Sequence, residues 1–343
     1  MTGPTNRQWL LVSRPEGMFN EQNFNWVETP IPTPKNGELL LRNLWLSCDP
    51  TQMGWMKADT YVPRVPLGEA MRALGIGQVV ESRSPDFRVG ELVAGLIGWQ
   101  DYVVTSGGGG NAVQRVPPRV PPELALSVLG LTGVTAYFGV TDIGKVQSGE
   151  TFVVSSAAGA VGSIAGQIAK IRGARVVGIA GGPAKCDWLR KEAGFDDAID
   201  YRAEKVGQRL SETCPQGIDV YFDNVGGEIL DEALARISLR ARIVMCGAIS
   251  DYASWAFRPL RNYALLIQKR GRMEGFIVTD YAARFAEAVP VLAGWYAEGR
   301  LKQKLDIAVG LENAPNTLAR LFKGENFGKQ LLKVADPPLP VPS

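Results

Sequence analysis

The sequence predicts an α/β protein in which a small, partly open β barrel is interrupted by a doubly wound parallel sheet. Three observations predict it. Residues 1 to about 125 are rich in proline and glycine and carry short β-like runs separated by turns. From about 126, runs that are apolar throughout alternate with amphipathic helical segments, the texture of a parallel sheet covered on both faces. After about 300 the β-like texture returns, so the chain is expected to go back and complete the first domain. The expected division is 1–126 with 304–343 for the barrel, and 127–303 for the sheet.

The 343 residues are enough for two cores, and 45% hydrophobic with 21% charged residues is ordinary for a globular chain. The formal net charge is +2 with no dense Lys/Arg block, which argues against nucleic acid or a membrane surface as the main partner. The opening "MTGPTNRQWLLVSRPEG" has one short apolar run, Trp9 to Leu11, and reads as neither a signal peptide nor a membrane span. The default location is the cytoplasm. Cys48, Cys186, Cys214 and Cys246 form no C-x-x-C pair, so packed free thiols are expected rather than structural zinc or disulfides.

In the barrel, "GELLLRNLWLSCDP", "IGQVVESRSP", "ELVAGLIGWQDYVVT" and "AVQRVPP" read as strands. "TSGGGGNAV" reads as a surface connector, because no strand-to-helix context surrounds it. Six strands of the second domain follow: "TFVVSS", "ARVVGIA", "DAIDY", "GIDVYFDNVG", "ARIVMCGA" and "RMEGFIVT", most of them followed by a helical segment. They fit the doubly wound Rossmann order, with its switch point beside the first strand. "KLDIAVG", a helix near "APNTLARLFKG" and "KQLLKV" complete the barrel, and "ADPPLPVPS" reads as a loose tail.

The stretch "VVSSAAGAVGSIAGQIAK" is a strand, a glycine turn and a helix. Ala157, Gly159 and Gly162 occupy the three positions of G-x-G-x-x-G, with Ala in the first place. Gly159 would let backbone approach a pyrophosphate, Gly162 would let helix and strand pack closely, and the helix N-terminus favours an anion. The second strand ends "VVGIAGGPAK" with no acid to meet a ribose 2′-hydroxyl, while Lys185 follows where it could meet a 2′-phosphate. NADP(H) is therefore the expected cofactor.

The chain has no histidine, which removes imidazole acids, bases and metal ligands and leaves no local spacing for a zinc site. Polar groups gather on the C-terminal strand edges: Tyr201, then Asp223 and Asn224, then Ser250 and Tyr252. Asp223 reads as a capping or turn residue. Tyr252 differs, because a phenol beside a nicotinamide could donate to a developing oxyanion.

Taken together, "AAGAVGSIAGQIAK", "FDNVGG", "CGAISDY", "GLTGVTAYFG" and "GENFGK" resemble the zinc-independent medium-chain double-bond reductases. That family includes the prostaglandin reductase/leukotriene hydroxydehydrogenase, plant alkenal double-bond reductase and bacterial curcumin reductase group. The likeness spans nearly the whole chain. It implies a GroES-like barrel interrupted by an NADP-binding Rossmann domain, a homodimer paired through the edge strand "RMEGFIV", and no metal. It also implies NADPH-dependent reduction of the carbon–carbon double bond of α,β-unsaturated ketones and aldehydes. Hydride would go to the β-carbon, and Tyr252 and the cofactor ribose would stabilise the enolate.

By the same resemblance Gly159, Ala160, Val161 and Gly162 would hold the pyrophosphate, Lys185 and Tyr201 match the positions that grip the 2′-phosphate, and Ala158 and Gly182 are expected among the cofactor-binding residues. Asn224, the run Cys246, Gly247, Ala248, Ile249, Ser250 and Tyr252, then Phe276, Ile277, Val278 and Asn326, match further cofactor contacts. One departure is "DPTQMGWM": Thr51 stands for a pocket tyrosine, and Met53 and Trp55 for two arginines, so a less basic, more apolar rim is expected. The pocket is expected to be built from barrel loops and the segment around Ser254 to Arg261, and the aromatics of "DYASWAFRPLRNY" read equally as pocket wall or as ordinary helix packing. Two alternatives stay open: an NADPH quinone reductase of the same superfamily, and an NADPH-binding protein without catalysis.

Overall fold

A computed structural model describes residues 5–106, 113–253 and 258–342. The glycine run at 107–110 and the start of the expected pocket segment, Ser254, lie outside the described residues. The chain divides into two compact units. One comprises Met1–Leu126, Leu305–Glu325 and Gln330–Ser343, the other Ser127–Lys304 and Asn326–Lys329.

The first unit begins with β1 (Thr5–Leu11) and β2 (Phe24–Pro30), an antiparallel pair. Then come β3 (Glu38–Ser47), helix α1 (Thr51–Lys57), β4 (Leu74–Ser82), β5 (Leu92–Leu96), β6 (Tyr102–Ser106), β7 (Gln114–Arg115) and the single turn α2 (Pro122–Ala125). The hub is β3. One edge pairs with β4, while Glu38–Arg42 on the other edge pairs with β6. Leu44, Trp45 and Ile76 are buried with Val116, Leu126 and Leu331 in one core of this unit. Asp101, 2% exposed, sits between Arg7 Nε at 2.6 Å and Arg42 Nη1 at 2.5 Å. Burial alone would raise its carboxyl, but these hydrogen bonds outweigh it and hold it below the ordinary range.

The second unit runs α3 (Leu131–Phe138), β8 (Thr151–Ser155), α4 (Ala160–Ile171), β9 (Arg175–Ala180), α5 (Pro183–Lys191), β10 (Asp197–Asp200), α6 (Val206–Thr213) and β11 (Ile218–Asp223). It continues α7 (Gly227–Leu234), β12 (Ile237–Met245), α8 (Ile249–Tyr252), α9 (Leu265–Lys269), β13 (Arg272–Gly275) and α10 (Phe285–Ala297). The six strands are parallel in the order β10-β9-β8-β11-β12-β13. This is the doubly wound order with the switch between β8 and β11. Val153, Val177, Ile199, Tyr221 and Ile243 are buried along the strands, which is why these segments read as apolar throughout.

The chain then supplies β14 (Leu305–Val309), α11 (Ala314–Lys323) and β15 (Lys329–Lys333). β15 takes the remaining edge of β3, at Trp45–Ser47, so β6 and β15 share one side of that strand.

Three expectations are corrected. The tail is tied down: the buried Gln78 amide donates to Leu339 O at 2.9 Å and accepts from Leu339 N at 3.0 Å, a pairing that satisfies a polar group shut off from water. The strand expected over "RMEGFIVT" stops at Gly275, because its partner β12 ends at Met245 and no ladder continues. Met53 is fully buried and Trp55 is 9% exposed, so neither lies on a rim, and the Arg72 guanidinium sits 5.6 Å from the Trp55 ring centroid. A cation is thus kept beside a residue expected to make the region apolar.

Candidate cofactor and active site

The glycine turn is shaped by backbone alone. β8 ends at Ser155, and Ser156 turns the chain with φ 49°. Gly159 then caps α4 with no side-chain cap bond, which leaves the first-turn N–H groups suited to an anion. A Cβ at Gly162 would lie 2.4 Å from Ser156 O, so only glycine lets this helix come so close to the turn. Asn326 joins from the end of the chain. Gly328 N donates to Ala158 O at 2.9 Å, and Asn326 Nδ2 donates to Gly328 O at 3.0 Å. This strip therefore borders the glycine turn at Ala158 and Gly159, just ahead of Ala160, Val161 and Gly162 at the start of α4.

At the end of β9, Gly181 and Gly182 (φ 98°) lead into α5, whose first turn carries Lys185. Tyr201 follows β10, its N donating to Ala180 O at 3.1 Å, and its side chain is exposed. Gly182, Lys185 and Tyr201 thus share one corner. No acid ends β9, and Asp200, one strand over, accepts Gly182 N on Oδ1 at 2.8 Å.

At the switch point Asp223 is fully buried. Its Oδ1 accepts from Ser155 Oγ at 2.8 Å, Tyr221 Oη at 3.1 Å and Val225 N at 3.1 Å, and its Oδ2 accepts from Gly226 N at 3.0 Å. Burial pushes this carboxyl up despite those four donors, and it pushes the Tyr221 phenol well above its ordinary value. Asn224 is held in turn: its N donates to Ser155 Oγ and its Nδ2 to Ser155 O, both at 2.8 Å.

Beside the switch point lies a cleft of about 450 Å³. Met245, Cys246, Gly247, Ala248 and Tyr252 line it from the β12 side, and Gly275, Phe276, Ile277 and Asp280 from the β13 side. The Tyr252 phenol oxygen accepts from Ala248 N at 3.1 Å, which fixes the ring against its own loop. Ile249 N donates to Asn224 O at 3.3 Å and Ser250 Oγ to Val225 O at 2.7 Å, tying that loop to the β11 turn. Loss of hydration, then the Asp223 charge, pushes the Cys246 thiol up to about 12.

The sequence-predicted residues thus fall in three places: the glycine turn with Asn326, the β9 corner, and the loops after β11, β12 and β13. Val278 opens a 3-10 turn and is not among the residues lining the cleft. Sequence reasoning missed Ser155, Arg202 and Asp280. Arg202 alone offered a signal, a cation directly after the strand-end Tyr201. Among the described residues no group of three or more His, Cys, Asp or Glu could hold a metal ion. None of the described helices is long and apolar enough to cross a membrane.

The chain matches two family models, "N-terminal domain of oxidoreductase" over residues 7–113 and "zinc-binding dehydrogenase" over residues 160–294. It is 41% identical to the NADPH-dependent curcumin reductase of Escherichia coli, covering 96% of this chain and 97% of that one. It is 36% identical to the NADP⁺-dependent 2-alkenal reductase of Nicotiana tabacum, covering 96% and 98%. The crystal structure of CurA in complex with NADPH from Vibrio vulnificus superimposes with a TM-score of 0.91 at 40% identity, covering 96% of this chain and all of that one.

Proposed function

The chain belongs to the medium-chain dehydrogenase/reductase family, in its double-bond reductase group. From that premise we infer that it is an NADPH-dependent reductase of the carbon–carbon double bond of α,β-unsaturated ketones and aldehydes. The observation that carries the reading is the position of Tyr252, whose phenol lines a cleft opening at the C-terminal ends of β12 and β13, beside the switch point.

The residues fit the cofactor. The uncapped start of α4 suits a pyrophosphate, the contact of Gly162 with Ser156 O leaves room only for backbone, and the β9 corner offers Lys185 and Tyr201 with no acid at the strand end. Bound NADPH supplies the hydride. Phe276 and Ile277 give the cleft an apolar wall. Tyr252 donates its O–H to the substrate carbonyl oxygen as charge grows there, an interaction stronger in the transition state than in the bound substrate. Ala248 N holds the phenol oxygen in place for that donation.

The protein acts as a homodimer in the cytoplasm. Support for the dimer comes from β13, which is the outer strand of the sheet, and from Tyr263 and Ile267 nearby, 61% and 79% exposed. Sedimentation velocity tests it, and a concentration-independent monomer would refute it.

The activity test is loss of NADPH absorbance with a trans-2-alkenone, a para-quinone and a saturated ketone in parallel, with and without a chelator. Turnover of the alkenone alone, to the saturated ketone and unaffected by the chelator, is the expected result. Turnover of the quinone alone would overturn the reading.

A further inference from the structure

The corner at the end of β9 carries a cation that neither the glycine pattern nor the family likeness singles out. Arg202 follows Tyr201 just beyond β10 and is exposed. A Cβ built on Gly181 would lie 2.9 Å from Arg202 Nε and 2.9 Å from Cε1 and Cζ of Tyr201. The glycine backbone, the ring and the guanidinium therefore pack as one layer over the strand end. The guanidinium carbon is 6.0 Å from the Tyr201 ring centroid, at the outer reach of a cation–π contact.

Asp200 aims this layer. Its Oδ1 accepts from Gly182 N at 2.8 Å and from Arg202 N at 3.0 Å, so one carboxylate oxygen pins the ends of β9 and β10 together. The acid at this corner is turned to backbone, and the arginine side chain is exposed over Gly181. In a doubly wound sheet the end of the second strand is where the ribose 2′ position lies. A guanidinium offers a fork of N–H donors matched to phosphate oxygens, and stacking on a ring pre-organises it.

We propose that Arg202 is a specificity-determining residue that selects the 2′-phosphate of the cofactor, donating to it from the layer over Gly181. This rests on the NADPH reading above. It is tested by calorimetric titration of the full chain with 2′,5′-ADP and with 5′-AMP, which differ only in the 2′-phosphate. Arg202→Gln is expected to weaken 2′,5′-ADP about tenfold or more and to leave 5′-AMP unchanged. Arg202→Lys keeps the charge without the fork and should fall between. The advantage of 2′,5′-ADP over 5′-AMP should shrink with added salt in the wild type and less steeply in Arg202→Gln. Equal weakening of both ligands, or none of 2′,5′-ADP, in a wild type that discriminates would overturn the role of Arg202 alone. A wild type that binds the two equally would overturn the NADPH reading and this proposal with it.

Discussion

Ser155 Oγ donates a 2.8 Å hydrogen bond to Asp223 Oδ1 and accepts the backbone N–H of Asn224 at the same distance. One hydroxyl at the end of β8 thereby joins the carboxylate that ends β11 to the first residue of the loop beyond it. Ser155 and Asp223 are both fully buried, so each bond replaces water that cannot reach the site. Ser155→Ala removes the donor to Asp223 and strands Asn224 N. The expected cost is about 2 kcal/mol of unfolding free energy, read by urea denaturation. A loss under about 0.5 kcal/mol would mean that the turn is held without this hydroxyl.

Gly162→Ala places a methyl group 2.4 Å from Ser156 O, closer than any relaxed contact. The turn must move, and with it the N–H groups at the start of α4. NADPH affinity, followed by quenching of tryptophan fluorescence, should fall about tenfold or more, while the melting temperature drops by a few degrees. Unchanged affinity would separate this glycine from cofactor binding.

Tyr252→Phe keeps the ring and removes the phenol. Removing one donor to a developing oxyanion costs about a hundredfold in kcat. The loss should appear in kcat with an alkenone, with little change in the KM for NADPH. Full turnover by the variant would take the phenol out of the reaction.

Cys246 lines the cleft that is proposed to receive an enone, an electrophile that thiolates attack. Its thiol is pushed up to about 12, first by lost hydration and then by Asp223, so it is protonated at neutral pH. Cys186, in α5, is pushed up to about 11, also chiefly by burial. Both should resist iodoacetamide at about pH 8, where an ordinary thiol reacts. Mass spectrometry of the native protein after alkylation checks this, and rapid labelling of Cys246 would contradict it.

Asp101 is held below its ordinary value by Arg7 and Arg42, against burial. A lowered folded-state value stabilises the fold above the unfolded-state value and loses that contribution as pH falls through the folded one. Urea midpoints should therefore drop below about pH 4 more steeply in the wild type than in Asp101→Asn. At neutral pH the substitution should cost about 2 kcal/mol, a modest figure because the Arg7 side chain is 36% exposed. A wild type and variant that lose stability in parallel over this range would place the acid dependence elsewhere.

The doubly wound half was legible in the chain because its signals are local. Strands buried on both faces must be apolar throughout, and the turn before α4 must be glycine where Ser156 O crowds it. The nucleotide turn, the missing acid at the end of β9 and the strand-end tyrosines could all be read in register with those strands. The opening pair β1 and β2 was not legible: β1 shows only the run Trp9 to Leu11, because most of its residues are only partly buried.

What the sequence by itself determined, then, is the order of the elements and the kinds of side chain at each strand end, since these follow from periodicity and from the steric demands of single positions. Only the tertiary structure decided how those ends combine. Ser155, Asp223 and Asn224 meet because β8 and β11 are neighbours at the switch point although 68 residues separate Ser155 from Asp223. Gly181 lies under Tyr201 and Arg202 because β9 and β10 are paired. The physical reason is that hydrogen bonding and desolvation act between groups adjacent in space. A carboxylate that reads along the chain as a turn residue becomes a buried acceptor of four bonds once the sheet has brought its donors together.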